Sequence, residues 1–171
     1  IQPGAMDYSA VIQKIRNDGA DTVIFGGYHP EASKLLSQMN KKKIKVAFIG
    51  PDGIKGDGFL KIAGKDAEGV YATGPMDVSK LPANAKAHAD FKIKFNKQPG
   101  TFFDQAHAAI LAAVNAVKVA GGTDQAALDK ALKSSPVDTA IGTIKFDKKG
   151  DAEGVGFSVY QVKDGAFVEV K

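Results

Sequence analysis

Thr22-Val23-Ile24-Phe25-Gly26-Gly27-Tyr28-His29-Pro30-Glu31 is the stretch whose reading decides the fold. Thr22 and three apolar residues, closed by two glycines, read as a short strand, and Pro30 marks the first turn of a helix. Such a run predicts a strand buried on both faces of a parallel sheet. Upstream, Asp7 is placed to cap a helix whose Tyr8, Val11, Ile12 and Ile15 share one face, with Gly19 ending it. Downstream, the helix opened by Pro30 carries Leu35, Leu36 and Met39 inward. A second strand, Val46-Ala47-Phe48-Ile49, runs into a second loop, Gly50-Pro51-Asp52-Gly53. A helical turn with Phe59, Leu60 and Ile62 then precedes the strand Val70-Tyr71-Ala72-Thr73. The order is βαβαβ, which predicts an α/β unit with a parallel sheet flanked by helices and right-handed crossovers.

The register changes at Gly74-Pro75, and residues 75–82 suit a crossover between lobes. Beyond it the chain is mainly helical. Residues 83–97 place Ala87, Phe91 and Phe95 on one face. Residues 102–120 are apolar around much of the circumference, with Ile110, Leu111, Val114 and Val117, which predicts a helix packed inside a domain. Gly121-Gly122 stops it, and Thr123 is placed to cap a third helix to about Lys133. Strands are expected near 141–146, 156–162 and 166–170, the last two joined by Lys163-Asp164-Gly165, an Asp-Gly hairpin signal. Helices this apolar need a sheet to cover, so part of the protein is expected to lie outside this chain.

The 171 residues fit one domain or two small halves. At 44% hydrophobic and 25% charged, the composition is that of a globular protein, not a disordered or collagenous one. No run of eighteen apolar residues offers a membrane span. The opening Ile1-Gln2-Pro3-Gly4 lacks the basic and apolar regions of a signal peptide, so a mature, truncated or cytosolic chain is expected. The absence of cysteine excludes disulfides, thiol catalysis and Cys-type zinc sites. The net charge of +4 does not make a nucleic-acid binder: Arg16 is the lone arginine, and Lys41-Lys42-Lys43 falls where a helix should end, complementing its dipole. No nucleic-acid partner is expected.

The two loops follow strands predicted to be parallel, and open α/β sheets bind ligands at the carboxyl ends of such strands. The first loop presents Tyr28 and His29, the second Asp52. Turn chemistry alone accounts for an Asp between Pro51 and Gly53, and a surface tyrosine needs no function. The alternative is a carboxylate held at a strand end to take a cation. Gly53-Ile54-Lys55-Gly56-Asp57-Gly58 lacks the Gly-Lys-Ser/Thr ending of a phosphate loop. Asp147-Lys148-Lys149-Gly150-Asp151-Ala152-Glu153 lacks the EF-hand order and reads as a polar hairpin. His29, His88 and His107 are scattered, and His107 is expected to be a satisfied interior or interface histidine. No nucleophile elbow or thiol is present, so no enzyme, metal or cofactor is expected.

With Asp52 twenty-four residues after Tyr28, the chain resembles the leucine/isoleucine/valine-binding proteins, the periplasmic receptors of branched-chain amino acid ABC transporters. The likeness runs from Gly4-Ala5-Met6-Asp7-Tyr8-Ser9-Ala10 through Phe48-Ile49-Gly50-Pro51-Asp52-Gly53 and Ala67-Glu68-Gly69 to Pro99-Gly100-Thr101-Phe102. It ends in Val137-Asp138-Thr139-Ala140-Ile141-Gly142 and Phe146-Asp147-Lys148-Lys149-Gly150-Asp151. The resemblance implies a type I periplasmic-binding-protein fold, two α/β lobes closing on an amino acid by a hinge, of which this chain is the C-terminal half. Residues 1–75 and 154–171 would then belong to the C-terminal lobe, and residues 76–153 to the N-terminal lobe. Tyr28 matches the tyrosine that closes over the ligand, Asp52 the acid that pairs with its α-ammonium, and Phe102 an aromatic near its side chain. Two departures stand out: some relatives carry Glu at the position of Asp52, and His107-Ala108-Ala109 replaces a Tyr-Ala-Ala run. The Ser/Thr-rich set that grips the α-carboxylate would lie in the missing N-terminal half.

The resemblance thus implies a non-enzymatic receptor in the periplasm, capturing aliphatic amino acids and delivering them to a membrane permease. A receptor for amides or other small polar solutes, and the sensor domain of a regulator, are the alternatives. Separated from its other half, the chain is expected to associate as a dimer through exposed apolar helices.

Overall fold

The computed structural model describes residues 1–170, and these divide into two compact units: residues 1–75 with 157–170, and residues 76–156. In the first unit α1 (Ser9–Asn17), β1 (Thr22–Ile24), α2 (His29–Lys41), β2 (Ala47–Gly50), α3 (Asp57–Ala63) and β3 (Tyr71–Pro75) follow one another. The chain returns to it as β7 (Phe157–Lys163) and β8 (Ala166–Glu169). The sheet order is β1-β2-β3-β7-β8. The first three strands are parallel, as the βαβαβ pattern predicts, and β7 and β8 are antiparallel, so the sheet is mixed. The predicted hairpin is present. Asp164 and Gly165 form its two-residue loop, both with positive φ (51° and 74°), the conformation that Asp-Gly pairs favour.

One face of this sheet is the core. Phe48, Ala72, Tyr160 and Val162 are buried there with Ile12 of α1, Leu35 and Met39 of α2 and Phe59 of α3. The rings of Phe25 and Phe48 stack at 5.8 Å. Burial of β1 on both faces is not what the structure has. β1 is the edge strand, and Ile24 is 83% exposed. In register with it, Ile49, Tyr71 and Gln161 are half-buried and Val168 exposed. Ile24 therefore faces the open side of a sheet whose helices pack on the other. Asp7 also acts differently from expectation. Helix α1 begins at Ser9, and the Asp7 carboxylate accepts from the Ser9 amide and hydroxyl, at 3.2 and 2.7 Å.

The second unit holds α4 (Pro82–Phe95), α5 (Phe103–Ala120), α6 (Gln125–Ser134) and the antiparallel strands β4 (Val137–Thr139), β5 (Gly142–Phe146) and β6 (Ala152–Glu153). Helix α5 is not enclosed by its large side chains. Its buried residues are Ala108, Ala112 and Ala116, one per turn, whereas Ile110 is 65% exposed. Ala108 and Ala112 share a buried cluster with Ile144 of β5. Asp124, not Thr123, caps α6, its carboxylate accepting from the Ala127 amide at 3.0 Å. The Asp147 turn is a polar hairpin turn: one carboxylate oxygen accepts from the amides of Lys149, Gly150 and Asp151 at 2.8–2.9 Å. His107 stacks on Phe103, but among the described residues its buried Nδ1 has no hydrogen-bond partner, contrary to the expectation of a satisfied ring.

Candidate functional site

Tyr28 and Asp52 sit at the carboxyl ends of adjacent parallel strands, β1 and β2. Tyr28 is the N-cap residue of α2, extended at φ −114° and ψ 168°, and 71% exposed. Its carbonyl accepts the first helical bond from Ala32, while the buried Ser33 hydroxyl donates to the His29 carbonyl at 2.6 Å. Below the loop, Gly27 lies on the Phe25 ring, where a Cβ would stand 2.9 Å from Cζ. Tyr28 is thus a surface ring on a loop seated on the core.

Asp52 opens a 3-10 turn, Asp52–Ile54, entered through the extended Pro51. The Ile54 amide donates to the Pro51 carbonyl and the Lys55 amide to the Asp52 carbonyl, at 3.1 and 3.0 Å. Ile54 is 1% exposed and packs onto Gly50, whose Cβ position its side chain occupies. The turn therefore points one side chain into the core and leaves Asp52 half-buried at its rim. Among the described residues no hydrogen bond or ion pair engages the Asp52 carboxylate.

The two loops interlock through glycines. A Cβ on Gly53 would stand 2.9 Å from the Gly27 carbonyl oxygen and 3.0 Å from Cδ1 of Tyr28. A Cβ on Gly58, at the start of α3, would stand 2.9 Å from Nε2 of His29. Turn propensity marks Gly53 in the sequence, but only the fold shows that Tyr28 rests on Gly53 of the second loop and the next residue, His29, on Gly58 of α3. Glu31, in the first turn of α2, accepts from the Gly4 amide at 3.0 Å. That bond holds its carboxyl below the usual carboxylate range.

Phe102 belongs to the second unit, as the N-cap residue of α5 at φ −109°, and is 44% exposed. Phe103 beside it meets Phe91 of α4 edge to face at 4.8 Å, and Asp104 meets His88 Nε2 at 2.8 Å. The structure thus brings Tyr28 and Asp52 onto one platform and places Phe102 on the other unit. Among the described residues no group of His, Asp or Glu could hold a metal ion. A half-buried, unengaged carboxylate beside an exposed aromatic ring is fitted to accept an ammonium group and cover it.

The chain belongs to the periplasmic binding protein family, whose model matches residues 1–166. It is similar to the leucine-, isoleucine-, valine-, threonine- and alanine-binding protein of Pseudomonas aeruginosa, 34% identical over 172 residues, with 100% of this chain and 46% of that protein covered. Among solved structures it is similar to a leucine-binding protein from Thermotoga maritima. That likeness has a TM-score of 0.87 and 23% identity, and covers 100% of this chain and 49% of the other. A solute-binding protein from Rhodopseudomonas palustris, solved with benzoate, matches at a TM-score of 0.78 and 19% identity over 99% of this chain and 48% of the other. The chain spans about half the length of the relatives it matches. The fold is the type I periplasmic-binding-protein fold, represented here in part. A fold seen with so different a ligand as benzoate does not name the ligand, which must be argued from the side chains.

Proposed function

We propose that the chain is the C-terminal half of a periplasmic receptor that captures aliphatic, branched-chain amino acids and delivers them to an ABC transporter permease, without catalysing a reaction. The single observation that carries this reading is the Asp52 carboxylate, half-buried, unengaged among the described residues and set beside the exposed Tyr28 at adjacent strand ends. Asp52 would accept the ligand α-ammonium in a charge-assisted hydrogen bond, and Tyr28 would cover it. Phe102 would meet the aliphatic side chain. Capture would proceed by hinged closure of two lobes, with residues 1–75 and 154–171 in one and 76–153 in the other. The closed form is then favoured by contacts that only it makes. The α-carboxylate would be held by the N-terminal half. Similarity to a leucine-, isoleucine-, valine-, threonine- and alanine-binding protein supports the ligand class.

The test is calorimetric titration of leucine, isoleucine and valine into the two-lobed protein, with and without Asp52→Ala. The reading expects binding that is lost in the variant while its thermal unfolding is unchanged. Unaltered affinity in Asp52→Ala would remove the assigned role. Binding of an amide but of no amino acid would replace the ligand class.

A further inference from the structure

We propose that Lys55 is a positioning residue that couples the Asp52 turn to the strands through which the chain leaves the sheet unit. Its bearing on ligand capture rests on the reading above; the coupling itself does not. Lys55 closes the Asp52 turn, its amide donating to the Asp52 carbonyl at 3.0 Å. Its side chain then runs across β3 at Gly74. A Cβ there would overlap Cδ of Lys55 and stand 3.1 Å from Cε. The aliphatic stem of a lysine packs in this way while its charged end reaches further. Here Nζ lies 4.0 Å from the centroid of the Tyr160 ring on β7, a cation–π contact. Tyr160 in turn donates from Oη to the Pro75 carbonyl at 2.5 Å. Pro75 and Phe157 are the last registered pair of β3 and β7, and Met76 and Gly156, the next residues of each strand, belong to the second unit.

Consecutive residues of the turn are thus seated on glycines of adjacent strands, Ile54 on Gly50 of β2 and Lys55 on Gly74 of β3. The first contact anchors Asp52 to the core. The second ties it to the point where the chain crosses out of the unit. A shift of the Asp52 turn is transmitted through the Lys55 stem to β3 and through the Tyr160 ring to β7, because packed contacts of this kind yield little. Coupling of this sort is reciprocal, so it can be tested from either end and without ligand.

The experiment is amide hydrogen exchange in the 171-residue chain, comparing wild type with Lys55→Ala, Lys55→Met and Gly74→Ala. Lys55→Ala is expected to speed exchange by about tenfold both at residues 52–55 and at 73, 74 and 157–160, leaving β1 unchanged. Lys55→Met keeps the stem over Gly74 and loses the charge, and should give a smaller change at the same residues. Gly74→Ala, which displaces the stem from the strand side, should speed exchange within 52–55. Acceleration confined to the altered side in both Lys55→Ala and Gly74→Ala overturns the proposal. So does no change in either. Where Lys55→Ala loosens the whole unit, the Lys55→Met and Gly74→Ala patterns decide. Failure of the chain to take an amino acid leaves this result standing, and the two claims fall separately.

Discussion

Gly53 lies edge-on to Tyr28, with no room between them for a methyl group: a Cβ on Gly53 would meet Cδ1 of the ring at 3.0 Å and the Gly27 carbonyl oxygen at 2.9 Å. Contacts that short force a neighbour to move, and a backbone carbonyl moves less readily than a side-chain end. The spacing between Asp52 and Tyr28 is therefore set by the residue next to Asp52 having no side chain. Gly53→Ala should leave the Phe25–Phe48 core intact while lowering leucine affinity in the two-lobed protein by about tenfold, or about 1.4 kcal/mol. Gly26→Ala, at a neighbouring glycine with nothing within 4 Å of its Cβ position, is the control and should bind as wild type. Equal affinities for both variants, read by calorimetry, would show that the interlock does not set the site.

The platform depends on the core beneath it. Phe48 is 2% exposed and stacked on Phe25, and Phe25 in turn supports Gly27. Phe48→Ala should cost about 3–5 kcal/mol of stability, through lost transfer energy and the cavity left behind. Urea unfolding measures it. A loss below about 1 kcal/mol would mean that the ring contributes little to the core.

The second unit carries a pH-sensitive turn. Hydrogen bonds from the Asp151, Lys149 and Gly150 amides hold the Asp147 carboxyl below its ordinary value of 3.8. The folded value is depressed, so the turn's stabilisation is complete above pH 3.8 and is lost as pH falls through the lower folded value. Amide resonances of Lys149, Gly150 and Asp151 should titrate together in that acid range, and Asp147→Ala should abolish the transition. Resonances that move near neutral pH instead would contradict the assignment.

The sequence announces the parallel strands and their loops because a short, mostly apolar run bounded by glycines has few other readings. It also places Tyr28 and Asp52, since position after a strand is a local property. Which face the helices cover is not local. Ile24 looks like core until the fold packs α1, α2 and α3 on the opposite face of the sheet and leaves its own face open. Helix α5 misleads for a related reason: apolarity suggests that its large residues are inside, but the alanine stripe is what is buried and Ile110 is left outside. The seats of Tyr28 on Gly53 and of Lys55 on Gly74 join residues 25 and 19 apart in the chain, so no periodicity reports them.

In the proposed receptor, Asp52 and Tyr28 form one recognition surface for the ammonium end of an amino acid. The most direct measurement is a leucine titration of the isotopically labelled chain followed by amide chemical shifts. Weak, saturable changes are expected, with Kd of about millimolar, confined to residues 27–29, 51–54 and 101–103 and absent in Asp52→Ala. Changes elsewhere in the chain, or changes that persist in Asp52→Ala, would contradict it.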